Sequence, residues 1–221
     1  MAKRKGGGLL IVMADIPADK DDEFNRWYNE EHLADVTSVP GVLNGARYQA
    51  VKGGPQYLAI YELETYEVTR TPEFTKIREQ PTEWSKKASP SVIGTNFARY
   101  TYRQIFPNGV SPAVADTDLA PVLQIGRMSV PPEIDAEFND WYNTIYIPGY
   151  ETVPGCISGR RYVAVDGQPN YGTVYELEHE QVSESPEWLK ARDSNPKSAD
   201  IRAKMTHAQG SPAVYKKIFQ L

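Results

Sequence analysis

The sequence predicts an α+β fold that uses one β-α-β-β-α-β unit twice, and three observations carry the prediction. The first is repetition. Glu23-Phe24-Asn25-Arg26-Trp27-Tyr28-Asn29 returns as Glu137-Phe138-Asn139-Asp140-Trp141-Tyr142-Asn143, an offset of 114 residues. That register holds to Glu64 and Glu178, with 21 of 42 positions identical, so the chain is a duplication. The second is that apolar runs of strand length alternate with helical spacing in the same order in both copies. The third is that each unit supplies two helices for one sheet face only, so the other face needs cover, and a second sheet is the natural one.

The elements follow in order. Leu9-Leu10-Ile11-Val12-Met13 is short and apolar enough to be a buried strand. Asp19 to Val36 has helical spacing, and its acidic first turn (Asp19, Asp21, Asp22, Glu23) suits the positive end of a helix dipole. Pro40-Gly41 stops that helix. Arg47 to Val51 and Tyr57 to Tyr61 are β-prone runs around Lys52-Gly53-Gly54-Pro55, a hairpin signature. Thr71-Pro72-Glu73 opens a second helix, with Thr as cap and Pro at the first helical position. Phe97 to Phe106, rich in aromatics and arginine, reads as a fourth strand. The second copy gives a strand near Val122–Ile125, a helix from Glu133, a stop at Pro154-Gly155 and a hairpin around Asp166–Pro169. Its second helix follows Ser185-Pro186-Glu187, and its last strand lies near Ala213–Phe219. The expected organisation is a flexible tail (1–8), a ferredoxin-like module (9–106), a linker rich in Pro, Asp and Ser (107–121) and a second ferredoxin-like module (122–221).

Composition narrows the partners. A net charge of −5 argues against nucleic acid or an anionic membrane surface. The one basic run, Lys3-Arg4-Lys5, leads into three glycines and not into an apolar stretch of signal or spanning length. A cytoplasmic location is the default expectation. The single Cys156 excludes an internal disulfide and reads as a small buried hydrophobe. His32, His179 and His207 lack metal-ligand spacing, and no phosphate loop or nucleophile elbow occurs. No metal or cofactor is expected, and haem stays open because one histidine can serve as an axial ligand.

The copies differ on one helix face. At about 100° per residue, Phe24, Trp27, Tyr28 and Glu31 share a face, with Asp35 in the same arc and His32 on its shoulder. In the second copy Glu31 becomes Ile145, His32 becomes Tyr146 and Asp35 becomes Gly149. Titratable groups at core-facing positions are costly unless they are used or paired. Imidazole exchanges a proton near neutral pH, which makes His32 the candidate acid or base. Glu31 or Asp35 is the candidate to orient it.

Phe24-x-x-Trp27-Tyr28-x-x-x-His32, followed by Val39-Pro40-Gly41 and a tyrosine-bearing hairpin, resembles the dimeric α/β-barrel superfamily, especially its EthD-like and related branches. The resemblance covers both modules and implies an intramolecular dimeric α/β barrel. It implies a cleft between the sheet and the first helix, with His32 facing it. It covers several activities: cofactor-free quinone-forming monooxygenases, lactone isomerases, dehydratases, haem enzymes and stress proteins.

The expected function is a cofactor-independent enzyme acting on a small aromatic or polyketide-like molecule. Its chemistry would be His-centred, of lyase, isomerase or dehydratase type. His32, Glu31, Asp35 and Tyr28 form the expected catalytic group. Trp27, Arg47, Tyr48, Tyr57, Tyr61, Tyr146 and Arg161 form the expected substrate-binding set. Arg47 and Arg161 hold matching strand positions, and their planar forks suit either a substrate oxyanion or the Glu of Tyr-Glu-Leu-Glu on the next strand. The alternatives are a non-catalytic small-molecule-binding or stress protein and, second, a cofactor-free monooxygenase or haem protein. The expected partner is a small-molecule substrate, with the two modules paired as an internal pseudo-dimer that leaves further self-association open.

Overall fold

Alternation along the strands sorts side chains to two sides of a single closed sheet. The computed structural model describes residues 3–221. The first half contributes β1 (Gly8–Asp15), β2 (Val42–Lys52), β3 (Tyr57–Leu63) and β4 (Thr95–Phe106). The second contributes β5 (Val122–Ser129), β6 (Cys156–Ala164), β7 (Tyr171–Leu177), the two-residue β8 (Thr206–His207) and β9 (Ala213–Gln220). The order β7-β6-β4-β1-β3-β2-β9-β5 closes through a β7–β5 pairing, which makes an eight-stranded antiparallel barrel, with β8 an appendage on β5. Two seams join the halves: β2 pairs β9, from Ala46 opposite Gln220 to Lys52 opposite Val214, and β4 pairs β6. The sheets therefore do more than face each other. Their edges are hydrogen-bonded, and closure leaves the barrel no free strand edge.

One set of side chains fills the barrel. Leu9, Ile11, Met13, Tyr48, Leu58, Ile60, Tyr102, Leu123, Tyr162 and Tyr215 form a single buried cluster. The opposite faces of the same strands carry Leu10, Ala14, Tyr57, Tyr61 and Leu63 against helices in the first half, and Val122, Met128, Tyr171, Tyr175 and Leu177 in the second. Those helices are α1 (residues 21–37), α2 (Pro72–Glu79), α3 (Ser85–Ala88) and α4 (Pro90–Ile93), then α5 (Pro112–Ala115) between the halves, and α6 (residues 135–151), α7 (Pro186–Asp193) and α8 (Pro196–Lys204). Gly41, at φ +87° in the turn between α1 and β2, has a backbone that L side chains rarely adopt, and a Cβ there would meet Val68 at 2.7 Å.

Two carboxylates sit inside the barrel at matching repeat positions, and the halves neutralise them differently. Glu62, 0% exposed, is paired with the Arg160 guanidinium from the other half. Glu176 receives Lys5 Nζ at 2.6 and 2.7 Å, Ser158 Oγ at 2.8 Å and the Ala120 amide at 3.3 Å. Burial disfavours the charged Glu176, yet Lys5 and Arg160 hold its carboxyl below its ordinary value. The repeat equivalent of Arg160 is Ala46, so the first copy lacks the inward cation and the N-terminal segment supplies one. The expectation of a flexible 1–8 tail therefore needs correction from Lys5 onward: Lys5 is 2% exposed, and Gly7 N bonds Glu64 O at 3.1 Å. Met1 and Ala2 lie outside the described residues. The 107–121 stretch is likewise not a free linker, because Ala115, Leu119 and Ala120 are buried.

Candidate functional site

The long helices carry a local departure from α geometry that decides where His32 points. In α1 the turn Tyr28–His32 is π-helical, with Leu33 N bonding back to Tyr28 O; in α6 the turn Tyr142–Tyr146 does the same through Ile147 N. A π turn brings residues five apart into line, so Trp27 and His32 stack, with ring centroids 4.5 Å apart and planes at 20°. Tyr28 meets His32 edge-on at 5.0 Å. The second copy places Tyr146 against Trp141 at 4.2 Å by the same turn.

What both copies keep is scaffold. Arg47, 1% exposed, does not line the cavity that holds His32 and makes no bond to Glu62. It donates to Asn29 Oδ1 at 2.6 Å and Asn25 Oδ1 at 2.7 Å, and lies over the Phe24, Tyr28 and Tyr57 rings at 5.1, 4.6 and 5.4 Å. Arg161 repeats this with Asn143 at 2.6 Å and Asn139 at 2.9 Å. These are helix-to-strand clamps. Arg47→Met is expected to cost about 3 kcal/mol, since hydrogen bonds to a charged group are worth about 1.5–3 kcal/mol each, and Arg161→Met about the same. Urea unfolding checks this, and an unchanged midpoint would remove the clamp from the account. Tyr57 belongs to the same clamp, with its hydroxyl within 3.0 Å of Asn25 Nδ2 and 2.9 Å of Asp21 Oδ1. Tyr48 points into the barrel, where its hydroxyl donates to Ala120 O at 2.8 Å. Neither tyrosine lines the cavity beside His32.

That cavity, about 450 Å³, lies between the outer face of β1 and β4, α1 and the 72–92 segment. Leu10, Val12, Val36, Phe74, Ile77 and Pro90 make its walls apolar, and Tyr28, His32 and Tyr61 bring polar atoms to them. The Tyr61 hydroxyl donates to that of Tyr28 at 3.3 Å, which leaves the Tyr28 proton free to donate. His32 Nδ1 is buried without a hydrogen-bond partner, and no hydrogen bond among the described residues engages Nε2 either. Burial, outweighing the pull of the nearby Glu31 charge, lowers the imidazole from 6.5 to about 4. The ring is therefore neutral at physiological pH. Burial likewise raises Tyr28 and keeps it a phenol.

The carboxylates do not orient the histidine. Glu31 Oε1 accepts from Trp27 Nε1 at 3.1 Å, Thr82 Oγ1 at 2.6 Å and Ser85 Oγ at 3.1 Å, so it fastens the cavity's outer wall to α1. Asp35 does not line the cavity and makes no side-chain hydrogen bond among the described residues, and partial burial followed by the Glu31 charge raises it. Tyr146 and Arg161 belong to the other half and are not brought near His32. Of the expected set, the structure gathers His32, Tyr28, Trp27 and Tyr61. It adds Arg78 and Arg99 at the mouth, which the sequence reading left out. Arg99 has no ion-pair partner among the described residues. Period-two alternation in β4 puts Phe97 and Arg99 on one face, a signal that was present in the sequence.

No protein-family model matches the chain, and no curated protein matches it in sequence. Solved structures do share its fold. An anthrone oxidase-like protein superposes with a TM-score of 0.62 at 14% identity, covering 99% of this chain and 94% of that one. A candidate monooxygenase from Fusobacterium nucleatum subsp. nucleatum gives 0.58 at 11% identity, covering 97% and 94%. A haem-binding protein from Thermus thermophilus gives 0.54 at 11% identity, covering 97% and 92%. The fold is that of the dimeric α+β-barrel proteins. No helix among the described residues is long and apolar enough to cross a membrane.

Proposed function

We propose that the chain is a cofactor-free oxidase or monooxygenase of a planar, anionic aromatic molecule with an acidic C–H or O–H group. The observation that carries this reading is a neutral imidazole without hydrogen bonds in an apolar cavity rimmed by Arg78 and Arg99. An uncharged imidazole at neutral pH is ready to accept a proton. The apolar walls fit flat rings, and Arg99 suits a carboxylate or phenolate at the mouth. His32 takes the proton, and the Tyr28 hydroxyl donates to the oxyanion that develops. The resulting carbanion adds dioxygen, and the peroxide loses water to leave a carbonyl. A methylene and one O₂ thereby become a ketone and one water.

The names of the structural neighbours favour this oxidative outcome over the lyase, isomerase or dehydratase outcomes expected from the sequence. The two copies are read as ferredoxin-like units paired as an internal pseudo-dimer, and the EthD-like branch rests on the Phe24-to-His32 motif alone.

The test is oxygen uptake with anthrone and a panel of hydroxyaromatic acids, in the wild type and His32→Ala. Uptake that depends on His32 supports the reading, and none across the panel counts against it. Arg99→Met is expected to raise KM for the acids about tenfold and to leave kcat within twofold. Equal KM values would detach Arg99 from recognition.

A haem protein is the second reading, favoured by the same bond-free imidazole. His32 is the residue that would hold the iron, Arg78 and Arg99 suit propionate carboxylates, and the group would supply oxygen and one-electron chemistry. A Soret band on haemin titration that His32→Ala abolishes would move the assignment there.

A further inference from the structure

The second half has a cavity of its own, about 230 Å³, between the outer face of β5, α6 and the 183–205 segment. It is the repeat counterpart of the His32 cavity: Tyr142 stands for Tyr28, Tyr146 for His32, Tyr150 for Val36, Tyr175 for Tyr61 and Trp188 for Phe74. The substitutions convert a proton-accepting pocket into a phenol-lined one.

We propose that this cavity is a second binding site, for an uncharged planar aromatic ligand bearing a carbonyl oxygen, and that it performs no chemistry. Three observations carry the proposal. Tyr175, 3% exposed, lines the cavity with a buried hydroxyl that makes no hydrogen bond among the described residues. Tyr146 OH accepts from Tyr150 OH at 3.0 Å, so its own proton is also left to donate. A buried donor without an acceptor is costly, and a carbonyl oxygen would satisfy it.

The second observation concerns shape. The ring centroids of Tyr150 and Trp188 lie 4.0 Å apart, and Met128 and Met205 also line the cavity, surfaces that favour flat aromatic rings. The third concerns charge. The cations at this mouth are engaged: Arg192 and Arg202 both bind Asp193, at 2.7 and 2.6 Å, and Lys52 binds Glu184 at 2.5 Å. No arginine of this mouth stands free as Arg99 does, so a neutral ligand is favoured over an anion. With tyrosine in place of His32, the helix position that carries the base in the first half holds none, and the imidazole in the lining, His207, is an exposed residue of β8. The proposal does not depend on any chemistry at His32.

The test is calorimetric titration of the full-length chain with 9-fluorenone, a neutral aromatic ketone. Saturable binding is expected, weakened about five- to tenfold by Tyr175→Phe and abolished by Met205→Trp, which fills the cavity. His32→Ala is expected to leave it unchanged. Circular dichroism and thermal unfolding confirm that the variants are folded, and Tyr175→Phe keeps the ring in place. Three results overturn the proposal: no binding up to the solubility limit, binding abolished by His32→Ala, or binding indifferent to both Tyr175→Phe and Met205→Trp.

Discussion

Arg160→Met is expected to destabilise the protein by about 3–5 kcal/mol, the cost of leaving one partner of a buried ion pair uncompensated. Glu62 is fully buried and its partner comes from the other half of the chain, so the loss falls on the cohesion of the whole barrel. Its remaining contact is the Gly6 amide at 3.3 Å, a weak substitute for a guanidinium. The double variant Glu62→Leu, Arg160→Met is expected to recover most of the loss, since well-packed apolar residues often replace a buried pair at little cost. Urea unfolding of both variants decides the matter. A single variant within 1 kcal/mol of wild type would mean that water reaches Glu62.

His32→Ala is expected to lower kcat/KM for the oxidised substrate by about 10²–10⁴, the usual range for a positioned base. KM is expected to change little, because the apolar walls and Arg99 remain. The pH dependence separates this role from a structural one. The folded imidazole titrates at about 4 against 6.5 unfolded. As pH falls from 6.5 towards 4, the unfolded chain takes up a proton that the folded chain refuses, so stability drops through that window and levels off below it. At about 1.4 kcal/mol per unit the drop is about 3 kcal/mol. Replacement by phenylalanine is expected to flatten that limb of the stability–pH curve. Activity per folded molecule is expected to hold down to about pH 4. A rate midpoint near 6.5 would place His32 in water and end the buried-base account.

Repetition in the sequence made much of the fold legible. Strand and helix order followed from periodicity and from Pro-Gly stops, and the candidate site was sought where the copies disagree, at His32 against Tyr146. What stayed illegible has physical reasons. A 100° wheel puts His32 on the helix shoulder, whereas the π turn rotates it onto Trp27, and no residue in Tyr28–His32 announces a π turn. Glu31 shared the right face but was claimed by Thr82 and Ser85, from a segment whose path the sequence did not disclose. Arg47 looked like a ligand-binding fork until Asn25 and Asn29, one helix away, supplied its acceptors. Lys5 read as part of a flexible tail because its partner, Glu176, lies 171 residues on.

That separation bears on how the chain is made. Synthesis runs from the N-terminus, and the inner edge of β2 finds its partner only when residues 213–220 emerge from the ribosome. Lys5 likewise waits for Glu176. The first four strands can assemble early, but the open edge of β4 waits for β6 and that of β2 waits for β9. Closing loops of this length makes barrel completion slow, and the unclosed intermediate is the species most exposed to intermolecular strand pairing. Aggregation in a cell is thus expected to track the lifetime of the nascent chain, and slower translation of the second half would worsen it even with the final stability unchanged.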